Sequence, residues 1–69
     1  MISKETISDR KAFYLQEGRI ELKNAMDYLN AHCDNWKEEN ERTYTEILSR
    51  AAMYADKALA MEELLNIGV

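Results

Sequence analysis

From Tyr44 onward, apolar side chains return every three or four residues: Tyr44, Ile47, Ala51, Tyr54, Ala58, Met61 and Leu65. The spacings alternate 3, 4, 3, 4, 3, 4, the mark of a helix that packs along a seam. Trp36 is in phase with it, two helical steps before Tyr44 through Asn40. Leu48, Ala52, Ala55 and Leu59 widen the stripe on one flank to about half the circumference at ~100° per residue. A contact with one helix needs only a narrow seam. An arc this wide predicts burial against more than one neighbour, and its alanines let a neighbouring backbone come close.

Both ends of this segment carry boundary signals. Asn35 followed by Glu38 has capping-box spacing, and Glu38, Glu39 and Glu41 suit the positive end of the helix dipole. Thr43 with Glu46 is a later alternative start. Gly68 suits the left-handed position after a helix, with Val69 placed to touch Leu64. Glu38, Arg42, Glu46 and Arg50 alternate in sign at i,i+4 and read as a solvated face. The spacing predicts a helix over about 36–66.

The first half is less regular. Leu15, Leu22, Met26, Leu29 and Cys33 share one stripe, with Ala25 beside it, while Phe13 and Ile20 lie nearly opposite. Gly18 falls between Leu15 and Leu22, which are a heptad apart. Either Gly18 ends a helix, giving three helices, or one helix runs through from about 4 to 33. No turn-forming residue follows Gly18, and Leu15 stays in phase with Leu22, which favours continuity at a cost of about 1 kcal/mol for the glycine.

The chain has no proline, and its glycines are Gly18 and Gly68 alone, so residues 19–67 contain no breaker. Asn30, His32, Cys33, Asp34 and Asn35 are indifferent helix formers, and a reversal is expected near 33–36. The expected architecture is all-α: a single domain over 1–69 built as an antiparallel hairpin, each arm ~45 Å long. The core seam is expected to combine Leu15, Leu22, Met26 and Leu29 with Trp36, Tyr44, Ile47, Leu48, Ala51, Tyr54, Ala55, Ala58, Met61 and Leu65.

Length changes that picture. At 69 residues a hairpin's apolar burial barely offsets the entropy of ordering the chain, so small domains rely on staples. Cys33 is the only cysteine and cannot close an intramolecular disulfide, and no cysteine–histidine framework exists for zinc. Association is the remaining common route. Two hairpins pairing as a four-helix bundle would cover the wide stripe, and a two-fold homodimer is the simplest closed form.

Charge narrows the partners. The net charge is −4 and Arg10–Lys11 is the only adjacent basic pair, which disfavours direct nucleic-acid or anionic-membrane binding. No apolar run approaches a membrane span, Ala51–Ala55 being the longest, and the charged N-terminus does not resemble a secretion signal. A cytoplasmic protein is expected.

The residues that could carry chemistry do not assemble into a motif. Cys33 follows His32, but neighbours on a helix point ~100° apart, and Cys33 is in register with Leu29 and Met26 as a core cysteine would be. His32 reads as a surface or turn residue. The residue three before His32 is Leu29, so the Glu-x-x-His pattern of di-iron bundles is absent. The acids near the turn lack calcium-loop spacing, and there is no phosphate loop or nucleophile–base–acid set. No catalytic, metal or cofactor residues are expected, and the chain reads as a non-enzyme.

What remains is surface. Phe13 and Ile20, with Tyr28 nearby, are the apolar residues expected to be left over for a protein partner once the arms have packed. The expected function is a small helical interaction module, an adaptor or regulator. Alternatives are an inhibitor of the kind phages and mobile elements encode, occluding or imitating nucleic acid, and a nucleic-acid-binding helical dimer.

Overall fold

A computed structural model describes residues 3–68. Its elements are two α-helices, α1 (Lys4–His32) and α2 (Glu38–Ile67), joined by a 3₁₀ turn at Cys33–Asn35. The helices run antiparallel against each other as a hairpin, 51 × 15 × 15 Å in extent. Its radius of gyration is 15.7 Å, where a globular chain of this length would have about 11 Å. Among the described residues there is no strand, and no helix is long and apolar enough to cross a membrane.

α1 starts where Ser3, in extended conformation, accepts the Thr6 amide on its Oγ at 3.1 Å. That cap satisfies one of the unpaired donors of the first turn. The helix passes unbroken through Gly18. The turn also falls where expected, but α2 begins two residues later than its spacing suggested. Cys33–Asn35 complete a 3₁₀ turn, Trp36 is extended, and Lys37 is the residue preceding the helix. The capping pair is therefore not Asn35 with Glu38. The Lys37 backbone N–H donates to Asn40 Oδ1 at 2.9 Å instead, two residues further on. At the far end Gly68 adopts φ 87°, and its N–H donates to the Leu65 carbonyl at 3.2 Å. This is the left-handed termination expected of it. The expected Val69–Leu64 contact lies outside the described residues.

The seam of α2 follows its spacing. Ile47, Ala51 and Ala58 are buried, while Tyr44, Tyr54, Met61 and Leu65 are half-buried beside them. The seam of α1 does not. Ile7, Gly18 and Ala25 are its buried residues, with Lys11, Tyr14, Glu21 and Tyr28 half-buried in phase with them. Leu15, Leu22, Met26 and Leu29, expected in the core, are exposed, and so is Ala55 of α2. The physical reason is close approach. At Gly18 a Cβ would lie 3.5 Å from Tyr54 Cβ and 3.8 Å from the Ala51 carbonyl oxygen, so the helices meet where side chains are smallest. The leucine stripe, displaced by roughly 40–100° around α1 at ~100° per residue, is turned aside.

The core is consequently thin. Ile7, Ala25, Ile47, Ala51 and Ala58 make up its buried apolar residues, and three of the five are alanines.

Candidate interaction surfaces

At the turn, an aromatic cluster ties the two helices together. The Trp36 ring sits edge-on to Tyr44 at 5.7 Å and to Tyr28 at 6.0 Å, and Tyr28 packs on His32 at 4.4 Å between centroids. Trp36 Nε1 donates to Glu41 Oε2 at 2.9 Å, and Asn40 Nδ2 donates to the Tyr28 hydroxyl at 2.9 Å. A hydroxyl half-buried between helices keeps its partner, as the cost of desolvation requires. Tyr28 is thus engaged within the hairpin rather than free beside Phe13 and Ile20.

Away from the turn, the two broad faces of the hairpin differ in kind. One is polar and satisfied within the chain. There Arg50 Nε donates to Glu21 Oε2 at 3.0 Å, and Lys57 Nζ lies 5.6 Å from the Tyr14 ring centroid. Arg50 therefore bridges to the other helix rather than closing the expected ladder with Glu46. Tyr14 in turn stacks on Tyr54 at 6.5 Å.

The other broad face is apolar. Leu15, Leu22 and Ala55 line one shallow depression with Gly18 and Ala51, and Tyr14 and Arg19 complete its wall. Helical periodicity carries that face along α1 through Met26 and Leu29, and along α2 through Leu48, Ala52 and Leu59. In an antiparallel pair these two flanks turn to the same side. Leu22 is 54% exposed and Met26 59%. Arg19, between Leu15 and Leu22, is the charged residue on the α1 stripe, and the α2 stripe of Leu48, Ala52, Ala55 and Leu59 carries none. Lys11 and Glu62, 3.6 Å apart, mark its open end.

Phe13 and Ile20 lie on the outer side of α1, 46% and 44% exposed. Phe13 touches Tyr14 edge-on at 5.6 Å. Ile20 borders a shallow groove that also contains Ala12, Leu15, Gln16, Arg19 and Lys23, so this strip is apolar at its base and basic at its rim.

Cys33 is exposed and not a core cysteine. The α-helical register ends at His32, and in the 3₁₀ turn the Cys33 thiol faces the Asn30 carbonyl at 3.5 Å and Asp34 Oδ1 at 3.9 Å. His32 is exposed apart from the Tyr28 ring. No three His, Cys, Asp or Glu residues are grouped to hold a metal ion among the described residues.

Ile7 is the buried residue that sequence reasoning missed, together with the seam role of Gly18 and Ala25. A signal for them was present. Ile7, Lys11, Tyr14, Gly18, Glu21, Ala25, Tyr28 and His32 recur with alternating spacings of 4 and 3, a heptad concealed by polar members. Compared with protein-family models, curated proteins and solved structures, the chain matches none.

Proposed function

We propose that this chain is a non-enzymatic protein–protein interaction module that works by presenting helix faces. One observation carries the reading: the hairpin buries little and leaves much apolar surface outside. Phe13, Leu15, Ile20, Leu22, Met26, Leu29, Met53, Leu59 and Ile67 are all exposed, against five buried apolar residues among those described, of which Ile7 and Ile47 are the large ones. Scattered exposed hydrophobics need no explanation. Leu15, Leu22, Met26 and Leu29, in helical phase along one flank of α1, are more than scatter, and apolar surface of that kind marks an association surface.

The outer strip of α1 is the part of this surface offered to a different protein. Its apolar base suits an apolar side chain, and Arg19 and Lys23 at the rim favour carboxylates around it. That contrasts with the −4 charge of the whole chain and gives the strip a sign of its own. Two separated cations are far too few for a nucleic-acid footprint.

The test is capture by a tagged chain from the cells that express it, with bound proteins identified by mass spectrometry. The double variant Phe13→Ala, Ile20→Ala should lose the captured protein while circular dichroism reports unchanged helicity. Undiminished capture by that variant refutes the outer strip as the binding face. A wild-type chain that retains no other protein refutes the module itself.

A further inference from the structure

We propose that the apolar face formed by Leu15, Leu22, Met26 and Leu29 of α1 with Leu48, Ala55 and Leu59 of α2 is covered by a second copy of this chain, closing a four-helix bundle. The pairing concerns the flank of α1 next to the outer strip, with Leu15 on the border of both, and it is tested separately because Phe13 and Ile20 lie outside it.

Area is the first argument. The hairpin exposes 5333 Å². The scaling for folded monomers gives about 4,500 Å² for a chain of 8.1 kDa. The excess is therefore roughly 800 Å² per chain, which is what one partner contributes to an interface of ordinary size. The dimensions agree, since one side of a 51 × 15 Å body has a footprint on the order of 750 Å², again one partner's share. Covering one broad face brings each chain to the exposure expected of a folded protein of its mass.

The choice of face follows from charge. The opposite broad face holds the Glu21–Arg50 pair and the Lys57 ammonium over the Tyr14 ring, and burying it would strip water from three charged groups. The apolar face has less such cost: Arg19 is its one charge near Leu15 and Leu22, and Arg19 also borders the outer strip, where a long side chain keeps its guanidinium in water. It is also self-complementary in size. Leucines and Met26 stand beside Ala52 and Ala55, so a two-fold copy can set large residues against small ones.

A copy of the same chain is the occupant that matches a largely apolar surface, with Arg19 at its border left to solvent. It also answers the stability problem of a core whose buried members are mostly alanine. The four-helix arrangement places the outer strips with Phe13 and Ile20 on the outside of the bundle, free for the partner proposed above.

Two measurements test the pairing together. Sedimentation equilibrium at about 10 µM should return the mass of two chains, and Leu22→Glu should weaken association at least tenfold. Because Leu22→Glu could unfold an obligate dimer, the face is also read in folded protein by a photo-crosslinking benzoylphenylalanine placed at Met26 or at Phe13. Irradiation should yield covalent dimers from position 26 and none from position 13. A folded wild-type chain with the mass of one copy overturns the proposal. So does a trimer or larger assembly, Leu22→Glu folded and still dimeric, or crosslinking from position 13 rather than 26. A single-copy result leaves the outer-strip reading standing, since capture through Phe13 and Ile20 does not require pairing.

Discussion

Replacing each glycine with alanine should move stability in opposite directions, although the chemistry added is the same methyl group. Gly18 lies inside α1 on the seam, where a Cβ would sit 3.5 Å from Tyr54 Cβ and 3.8 Å from the Ala51 oxygen. Both are ordinary contact distances, so no strain opposes the change. A mid-helix glycine costs about 1 kcal/mol relative to alanine, and burying a methyl contributes up to about 0.8 kcal/mol. Gly18→Ala should therefore stabilise each chain by about 1–2 kcal/mol. Gly68 has open space around it but sits at φ +87°, where an L side chain costs about 1–2 kcal/mol. Gly68→Ala should thus be destabilising by about 1 kcal/mol, limited by fraying of the last turn. Thermal melts followed at 222 nm, all at one protein concentration, give the readout. Each kcal/mol is worth about 4–8 °C in a domain of this size. A fall in Tm for Gly18→Ala would mean that the helices approach more closely at Tyr54 than described, and the account of the seam would fail.

Other substitutions examine the rest of the hairpin. Ala58, 3% exposed in the seam, should not accept a larger side chain, and Ala58→Leu should lose about 1–3 kcal/mol; Ala60→Leu, on the exposed surface, should change stability by less than about 0.5 kcal/mol in the same denaturant titration. Tyr28→Phe removes the acceptor of the Asn40 amide and should cost about 0.5–1.5 kcal/mol, with the change also visible in Trp36 fluorescence because the rings touch. Arg50→Ala breaks the pair with Glu21, but the Arg50 side chain is half exposed, so urea unfolding should show a loss under about 1 kcal/mol that shrinks further in high salt.

The two helices differ in how plainly their packing was written. In α2 every seam position is apolar, and an uninterrupted run of 3- and 4-residue steps from Tyr44 to Leu65 identifies the buried face without ambiguity. In α1 the seam runs through Lys11, Glu21 and His32, and its closest contacts are made by Gly18 and Ala25. Hydropathy counts those two as weak. The stripe of Leu15, Leu22, Met26 and Leu29 is more hydrophobic, so it is the one that periodicity selects. Hydrophobic spacing reports which residues avoid water, not which neighbour shelters them. Small residues decide where two helices can approach, and the larger ones are left for whatever packs next.

The same distinction explains the candidate surface. Phe13 and Ile20 were legible as outward-facing because they stand nearly opposite the strong stripe at ~100° per residue. The contacts of Tyr28 with Asn40 and Trp36, twelve and eight residues away in sequence, were not legible, because no local pattern connects them. Cys33 shared the phase of Leu29, but the change from α to 3₁₀ geometry at residue 33 ended the register on which that inference stood. The start of α2 moved for a similar reason, since Asn40 rather than Glu38 reaches back to the chain preceding the helix.

A hairpin with so slight a core should owe much of its order to the second copy proposed to cover it, and the midpoint of heat denaturation would carry that dependence. Raising the chain concentration from 1 to 100 µM adds about 2.7 kcal/mol to the free energy of a folded dimer, which for two chains of this length lifts the midpoint by about 10 °C. A midpoint that climbs in this way, and a Leu22→Glu variant that no longer gains from concentration, are the expected results. A sharp cooperative melt at the same temperature across that hundredfold range would show that one hairpin is stable alone, contradicting the account.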